Sequence, residues 1–120
     1  MIENILKNCK APKTIRSWGY YRNLYLGDGF KVKELIINPK SALSMQRHQH
    51  RSETWNLISG KAHVKTDTCI LYLDTPQIIP KNTWHQGCNV SDEPAHIVEI
   101  WQGDILTEDD IERIDDETKI

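Results

Sequence analysis

SMQRHQHRSETW, residues Ser44 to Trp55, gathers an amide, two imidazoles and a carboxylate at Gln46, His48, His50 and Glu53. Side chains two apart on an extended strand share a face. If MQRHQH is a strand, Gln46, His48 and His50 project one way, and Met45, Arg47 and Gln49 the other. Two readings stay open at this point. On an exposed strand these are ordinary surface groups. On the inward face of a barrel, three polar groups in line are costly unless a partner satisfies them. A divalent cation does so, because neutral imidazole, amide oxygen and carboxylate all donate to it. Glu53 would then arrive on the next strand, after a turn at Arg51–Ser52.

Outward from this segment the chain reads as short strands broken by turn chemistry. FKVKELIIN (Phe30–Asn38) is rich in β-branched residues and stops at Asn38-Pro39, and TWNLISG stops at Gly60. KAHVKT leads to a turn near Asp67, and CILYL, PQIIPKNTWH and AHIVEIWQG (Ala95–Gly103) follow. Runs of this length at intervals of about ten residues predict an all-β sandwich or barrel. LGDGF (Leu26–Phe30) predicts a hairpin turn. Only the ends read as helical. Residues 1–15 form an N-terminal extension. TEDDIERIDDE, with Thr107 as N-cap and early acids suited to a helix dipole, predicts a short acidic helix over 107–117 that caps the barrel and faces solvent.

With 120 residues the chain is sized for a single domain, 1–120. A net charge of −2 gives no electrostatic reason to expect nucleic acid or an anionic membrane as partner. No apolar run approaches the roughly 20 residues of a membrane helix, and the polar start MIENILKNCKAPK does not read as a signal peptide. Cys9, Cys69 and Cys88 are an odd, widely spaced set, which argues for a reducing cytoplasm rather than a disulfide framework. Cys88 follows His85 closely enough to be a minor alternative ligand.

PKNTWHQGCN (Pro80–Asn89) favours the metal reading. Pro80 starts a rigid turn, and Asn82 tolerates the left-handed backbone such turns use. His85 then enters as a ligand from a separate strand, which is what a closed site in a barrel requires.

At these residues the chain resembles the cupin superfamily, the double-stranded β-helix or jelly-roll barrel. Its first motif leaves three or four residues between the second of two paired histidines and a glutamate. His48 satisfies that spacing to Glu53 and His50 does not, and Gly60 falls at the expected distance after Glu53. By this resemblance the metal set is Gln46, His48, Glu53 and His85, with Gln46 in the place of the first motif histidine. Mixed nitrogen and oxygen donors admit Zn, Mn, Fe, Co or Ni. RSWGYY (Arg16–Tyr21), GFKVKEL (Gly29–Leu35), IIPKNTWH (Ile78–His85) and EDDIERIDD (Glu108–Asp116) narrow the likeness. Together they resemble the type II phosphomannose isomerase domain found at the C-terminus of bifunctional mannose-1-phosphate guanylyltransferases.

That resemblance implies a metal-dependent isomerase interconverting mannose 6-phosphate and fructose 6-phosphate by enediol proton transfer, in polysaccharide precursor supply. It also implies a homodimer and a possible guanylyltransferase partner. The chemistry needs a proton-transfer group and an electrophile for the developing oxyanion. His50 and Lys33 are the candidate catalytic groups. Arg16 is the candidate phosphate ligand, since alternation turns Arg47 and Arg51 away from the metal. The four tryptophans read as packing more than as a sugar platform. Family glycines are replaced by Lys40, Asp74 and Asn82. Thr54 stands where the family has His, and Gln86 where it has Arg. These last two favour the alternatives: a non-catalytic sugar-binding cupin, or an isomerase or epimerase of a nucleotide-linked sugar.

Overall fold

The computed structural model describes residues 11–114. Twelve strands run in chain order: β1 (Thr14–Arg16), β2 (Gly19–Leu26), β3 (Phe30–Ile37), β4 (Ser41–Ala42), β5 (Met45–Arg47), β6 (Arg51–Ser59), β7 (His63–Thr66), β8 (Ile70–Tyr72), β9 (Gln77–Ile79), β10 (His85–Asn89), β11 (Ala95–Gly103) and β12 (Glu112–Ile114). They form two antiparallel sheets. One has the order β1-β2-β3-β11-β6-β9; the other has β12-β5-β10-β7-β8, with β4 also paired to β10. This is the all-β cupin barrel expected from the sequence.

Two expected turns are in place, while the one expected at Arg51–Ser52 is not, since Arg51 and Ser52 already belong to β6. β2 and β3 are joined through Gly27-Asp28-Gly29, with Gly29 at a φ of 82°. Lys40 (φ 56°) and Asn82 (φ 61°) hold left-handed backbone, so two of the three positions where the family has glycine still adopt a glycine-like conformation.

The inward faces of the long strands carry the decisive pattern. On β3, Lys31 and Lys33 are followed by Leu35 and Ile37; on β11, Ala95 and Ile97 are followed by Glu99 and Trp101; on β6, Arg51 and Glu53 are followed by Trp55. Antiparallel register aligns these changes, pairing Lys33 with Glu99, Leu35 with Ile97 and Trp101 with Glu53. One end of the barrel is therefore an apolar core built on Leu35, Ile37, Trp55, Val64, Ile79 and Ile97. The other end is lined with charge.

Asn89, fully buried at the end of β10, binds across to β3. Its Nδ2 donates to the carbonyls of Ile37 (3.0 Å), Asn38 (3.2 Å) and Glu93 (2.7 Å), while its Oδ1 accepts from the backbone N and Oγ of Ser91.

The helix expected over 107–117 is absent among the described residues. Residues 108–110 turn and Glu112–Ile114 form β12 against β5. The acids that suggested a helix dipole are spent on the barrel instead. Glu108 binds Lys31 and Lys33, Asp110 caps the chain at Gln49 and His50, and Glu112 binds Arg47. Residues 115–117, and most of the extension at 1–15, lie outside the described residues; Thr14–Arg16 are already strand.

Candidate metal centre

The strand MQRHQH ends earlier than its alternation suggests. β5 stops at Arg47, and the Asp110 carboxylate accepts the backbone amides of Gln49 (3.0 Å) and His50 (2.9 Å), bending the chain there. His48 keeps its inward orientation. His50, half-buried on the bend, is not among the residues that line the cavity. The bend also resets the phase of β6. Arg51, Glu53 and Trp55 are all buried on one face, so Arg51 points toward the centre rather than away from it, and the turn precedes Arg51. Arg47 does face elsewhere, over the Trp84 ring and against Glu112.

His48, Glu53 and His85 converge, with one ligand atom of each within 4.8 Å of the others. His48 Nε2 is 3.3 Å from Glu53 Oε2, and His85 Nε2 is 3.6 Å from Glu53 Oε1. Each imidazole is aimed by its other nitrogen: His48 Nδ1 bonds the Asp110 carbonyl at 2.7 Å and His85 Nδ1 the Thr83 carbonyl at 2.8 Å. A ring that donates through Nδ1 presents the Nε2 lone pair, the arrangement metal-ligating histidines use. Gln46 is paired with His85 across β5 and β10 and lines the same cavity. Its Nε2 donates to the Ser44 carbonyl (3.3 Å), which leaves the amide oxygen as its ligand end.

One feature tests whether a cation suits this set. His85 Nε2 is buried and has no hydrogen-bond partner among the described residues. Buried polar atoms are nearly always satisfied, and a metal ion is a natural partner for an imidazole lone pair facing a carboxylate. The Gln, two His and Glu donors also match first-row divalent cations.

The charges fit the same picture. Burial works to raise the Glu53 carboxyl, but His85, Arg51 and His48 outweigh it and hold the group well below the usual carboxylate range. Burial lowers His48 to about 4, so its ring is neutral at pH 7. Burial also presses His85 down, but Glu53 overcomes this and raises it. Glu53 is further fixed by Trp55 Nε1 at 2.9 Å and by Arg51 Nε at 2.8 Å.

Above the cluster opens a cavity of about 450 Å³, within the range of small-molecule sites. Lys33 lines it, its Nζ 3.0 Å from Glu108 Oε1 and 3.9 Å from the centre of the Tyr21 ring. Arg16 stands exposed at the mouth. Among the described residues, four charged lining residues were not singled out by sequence reasoning as part of the site: Arg51, Glu99, Glu108 and Arg113. Glu99 is 3% exposed. Burial and the nearby Glu53 charge raise its carboxyl to about 7. The inward alternation of AHIVEIWQG held the signal for Glu99. Cys88 and Gln86 are not among the lining residues; Cys88 Sγ donates to the Gln86 carbonyl at 3.6 Å, and Gln86 Nε2 to the Leu43 carbonyl at 2.9 Å.

Comparison with known proteins gives concordant results. The family model described as mannose-6-phosphate isomerase C-terminal matches residues 6–116. The alginate biosynthesis protein AlgA of Pseudomonas aeruginosa is 39% identical over 103 residues, covering 84% of this chain and 21% of AlgA. The xanthan biosynthesis protein XanB of Xanthomonas campestris pv. campestris is 37% identical over 106 residues, covering 87% of this chain and 23% of XanB. A mannose-1-phosphate guanylyltransferase of Sinorhizobium fredii is 37% identical over 110 residues, covering 90% and 22%. The chain thus spans about a fifth of the length of these relatives. Among solved structures, oxalate decarboxylase of Bacillus subtilis superposes with a TM-score of 0.76 at 15% identity, covering 88% of this chain and 30% of that one. The capsular polysaccharide assembling protein CapF of Staphylococcus aureus gives 0.73 at 16%, covering 88% and 34%. At such identities the structural likeness concerns the fold alone.

Proposed function

Because the chain belongs to the mannose-6-phosphate isomerase C-terminal family, we propose that its cavity interconverts mannose 6-phosphate and fructose 6-phosphate with one divalent metal ion held by Gln46, His48, Glu53 and His85. The observation that carries this reading is the orphaned, buried Nε2 of His85 facing the Glu53 carboxylate at the floor of the cavity. Bound there, the ion supplies Lewis acidity for a sugar carbonyl.

The remaining work falls to side chains. Glu53 is the only charged donor of the four, so the loaded site keeps a net positive charge of about one, which favours a developing oxyanion. Lys33 brings an ammonium to the same cavity, within reach of a sugar oxygen. Arg16 and Arg113 offer guanidinium groups at the mouth for a phosphate, a geometry Arg serves well. His50, outside the cavity lining, has no part in this reading. A guanylyltransferase partner, a homodimer and a cytoplasmic setting complete it.

A second reading, a sugar- or sugar-phosphate-binding module without chemistry, draws on one contact: Arg51 Nη2 lies 3.2 Å from His48 Nε2. A coupled assay with mannose 6-phosphate, with and without chelator, separates the two. Deuterium wash-in at C2 registers even slow turnover. The isomerase reading expects chelator-sensitive conversion and exchange; a metal-loaded protein giving neither signal refutes it.

A further inference from the structure

We propose that Glu99 is the acid–base group that carries the proton between C1 and C2 of the sugar, an inference that rests on the isomerase reading above. Among the described residues, three carboxylates line the cavity: Glu53, Glu99 and Glu108. Two are committed. Glu53 is bound by Arg51 and Trp55 and faces both imidazoles. Glu108 is ion-paired to Lys31 and Lys33, with its side chain 42% exposed.

Glu99 differs from both. Among the described residues its hydrogen-bond donor is the Trp101 indole, at 3.0 Å on Oε1. The other oxygen is left to receive a proton. Strand register places Glu99 directly opposite Lys33 on β3, and diagonal to Glu53, which faces Trp101 across β6 and β11. Same-face diagonal neighbours in a sheet sit roughly 7–8 Å apart. A sugar whose carbonyl end rests over the His48–Glu53–His85 cluster therefore has its first two carbons between that cluster and Glu99.

The step balances on these groups. Ionised Glu99 takes the proton from C2, the C–H electron pair becomes the C1=C2 bond, and the carbonyl pair moves onto O1. The Lys33 ammonium gives a proton to O1 and recovers one from O2. The O2 electron pair then forms the C2 carbonyl, and C1 takes the proton back from Glu99. Both side chains end as they began, and no further reactant enters.

Glu99→Gln keeps the size and hydrogen bonding of the protonated acid but cannot accept a proton. The expected result is unchanged metal content by elemental analysis, a KM within about threefold of wild type, and kcat lower by roughly 10²–10⁴-fold, with deuterium exchange at C2 falling in parallel. Glu99→Asp should recover a few-fold of the rate lost while remaining more than tenfold below wild type. If Glu99→Gln fails to fold, Glu99→Asp alone decides, since the shorter acid must still slow kcat more than tenfold. Wild-type rates in either variant overturn the proposal and leave the isomerase reading standing. A metal-loaded wild type that neither converts nor exchanges the sugar overturns both.

Discussion

Arg51 Nη2 lies 3.2 Å from His48 Nε2, and Arg51 Nε lies 2.8 Å from Glu53 Oε2, so one guanidinium touches two of the proposed ligands. The Nε2 lone pair cannot serve the guanidinium and a metal ion together. Metal entry therefore requires Arg51 to leave His48.

Replacing Arg51 by Met should consequently tighten metal binding. A hydrogen bond to a charged group contributes about 1.5–3 kcal/mol, so its prior absence corresponds to a gain of roughly ten- to a hundredfold in affinity, measured by chelator competition. Weaker binding in the variant would mean that Arg51 instead holds Glu53 in place for the ion.

His85→Ala should abolish metal retention, because it deletes the ligand with the unsatisfied nitrogen. Wild-type protein saturated with metal at a hundred times Kd gains about 2.7 kcal/mol of stability, which moves the melting temperature upward by several degrees. The variant should melt at the same temperature with and without chelator. A shift of wild-type size in His85→Ala would place the ion elsewhere.

The metal-free protein should lose stability as pH rises through the range set by Glu99. Its carboxyl is raised from 4.5 to about 7, so the folded state holds a proton that the unfolded chain has already released. This contribution is fully present below about pH 4.5 and is lost as pH climbs past about 7. Lys33 and Arg51 ease the ionised form and Glu53 opposes it. Urea titrations at pH 5 and pH 8 should show Glu99→Gln losing less stability than wild type across the interval, by on the order of 1–3 kcal/mol. Equal losses would show that another group governs the trend.

Asn89→Ala should lower the urea midpoint sharply without touching the cavity. It strips hydrogen-bond donors from carbonyls on β3 and in the following loop, and leaves the Ser91 amide without its acceptor. Unsatisfied buried groups cost about 1–3 kcal/mol each, so a loss on the order of 3 kcal/mol is expected. A loss under about 1 kcal/mol would show that water replaces the side chain.

Gln86→Arg tests whether the family arginine acts on substrate. Gln86 is buried and bonded to the Leu43 carbonyl, outside the cavity lining. The expected outcome is a turnover rate within about twofold of wild type and a lower melting temperature. A tenfold gain in rate would mean that an arginine at this position reaches the cavity.

The strand pattern, the hairpin at Leu26–Phe30 and the left-handed turn at Asn82 were legible because each depends on local chemistry. Lys33 was legible as the inward residue of a long, regular strand. His50 and Arg51 were misplaced because alternation was carried through Gln49 and His50. The acid that bends the chain there, Asp110, lies about sixty residues downstream, and no local pattern announces it. The same long-range contacts explain the missing helix. Thr107 and its acids satisfy local helix rules, but Arg47, Lys31 and Lys33 claim the carboxylates first. Tertiary charge won over propensity.

The level at which β3, β6 and β11 change from aliphatic to ionised side chains divides the labour of this small barrel. Selection for a different ligand can rewrite positions 31, 33, 51, 99 and 101 while the packing that drives collapse stays intact. A scaffold partitioned this way can acquire new chemistry in the upper storey without having to rediscover how to fold.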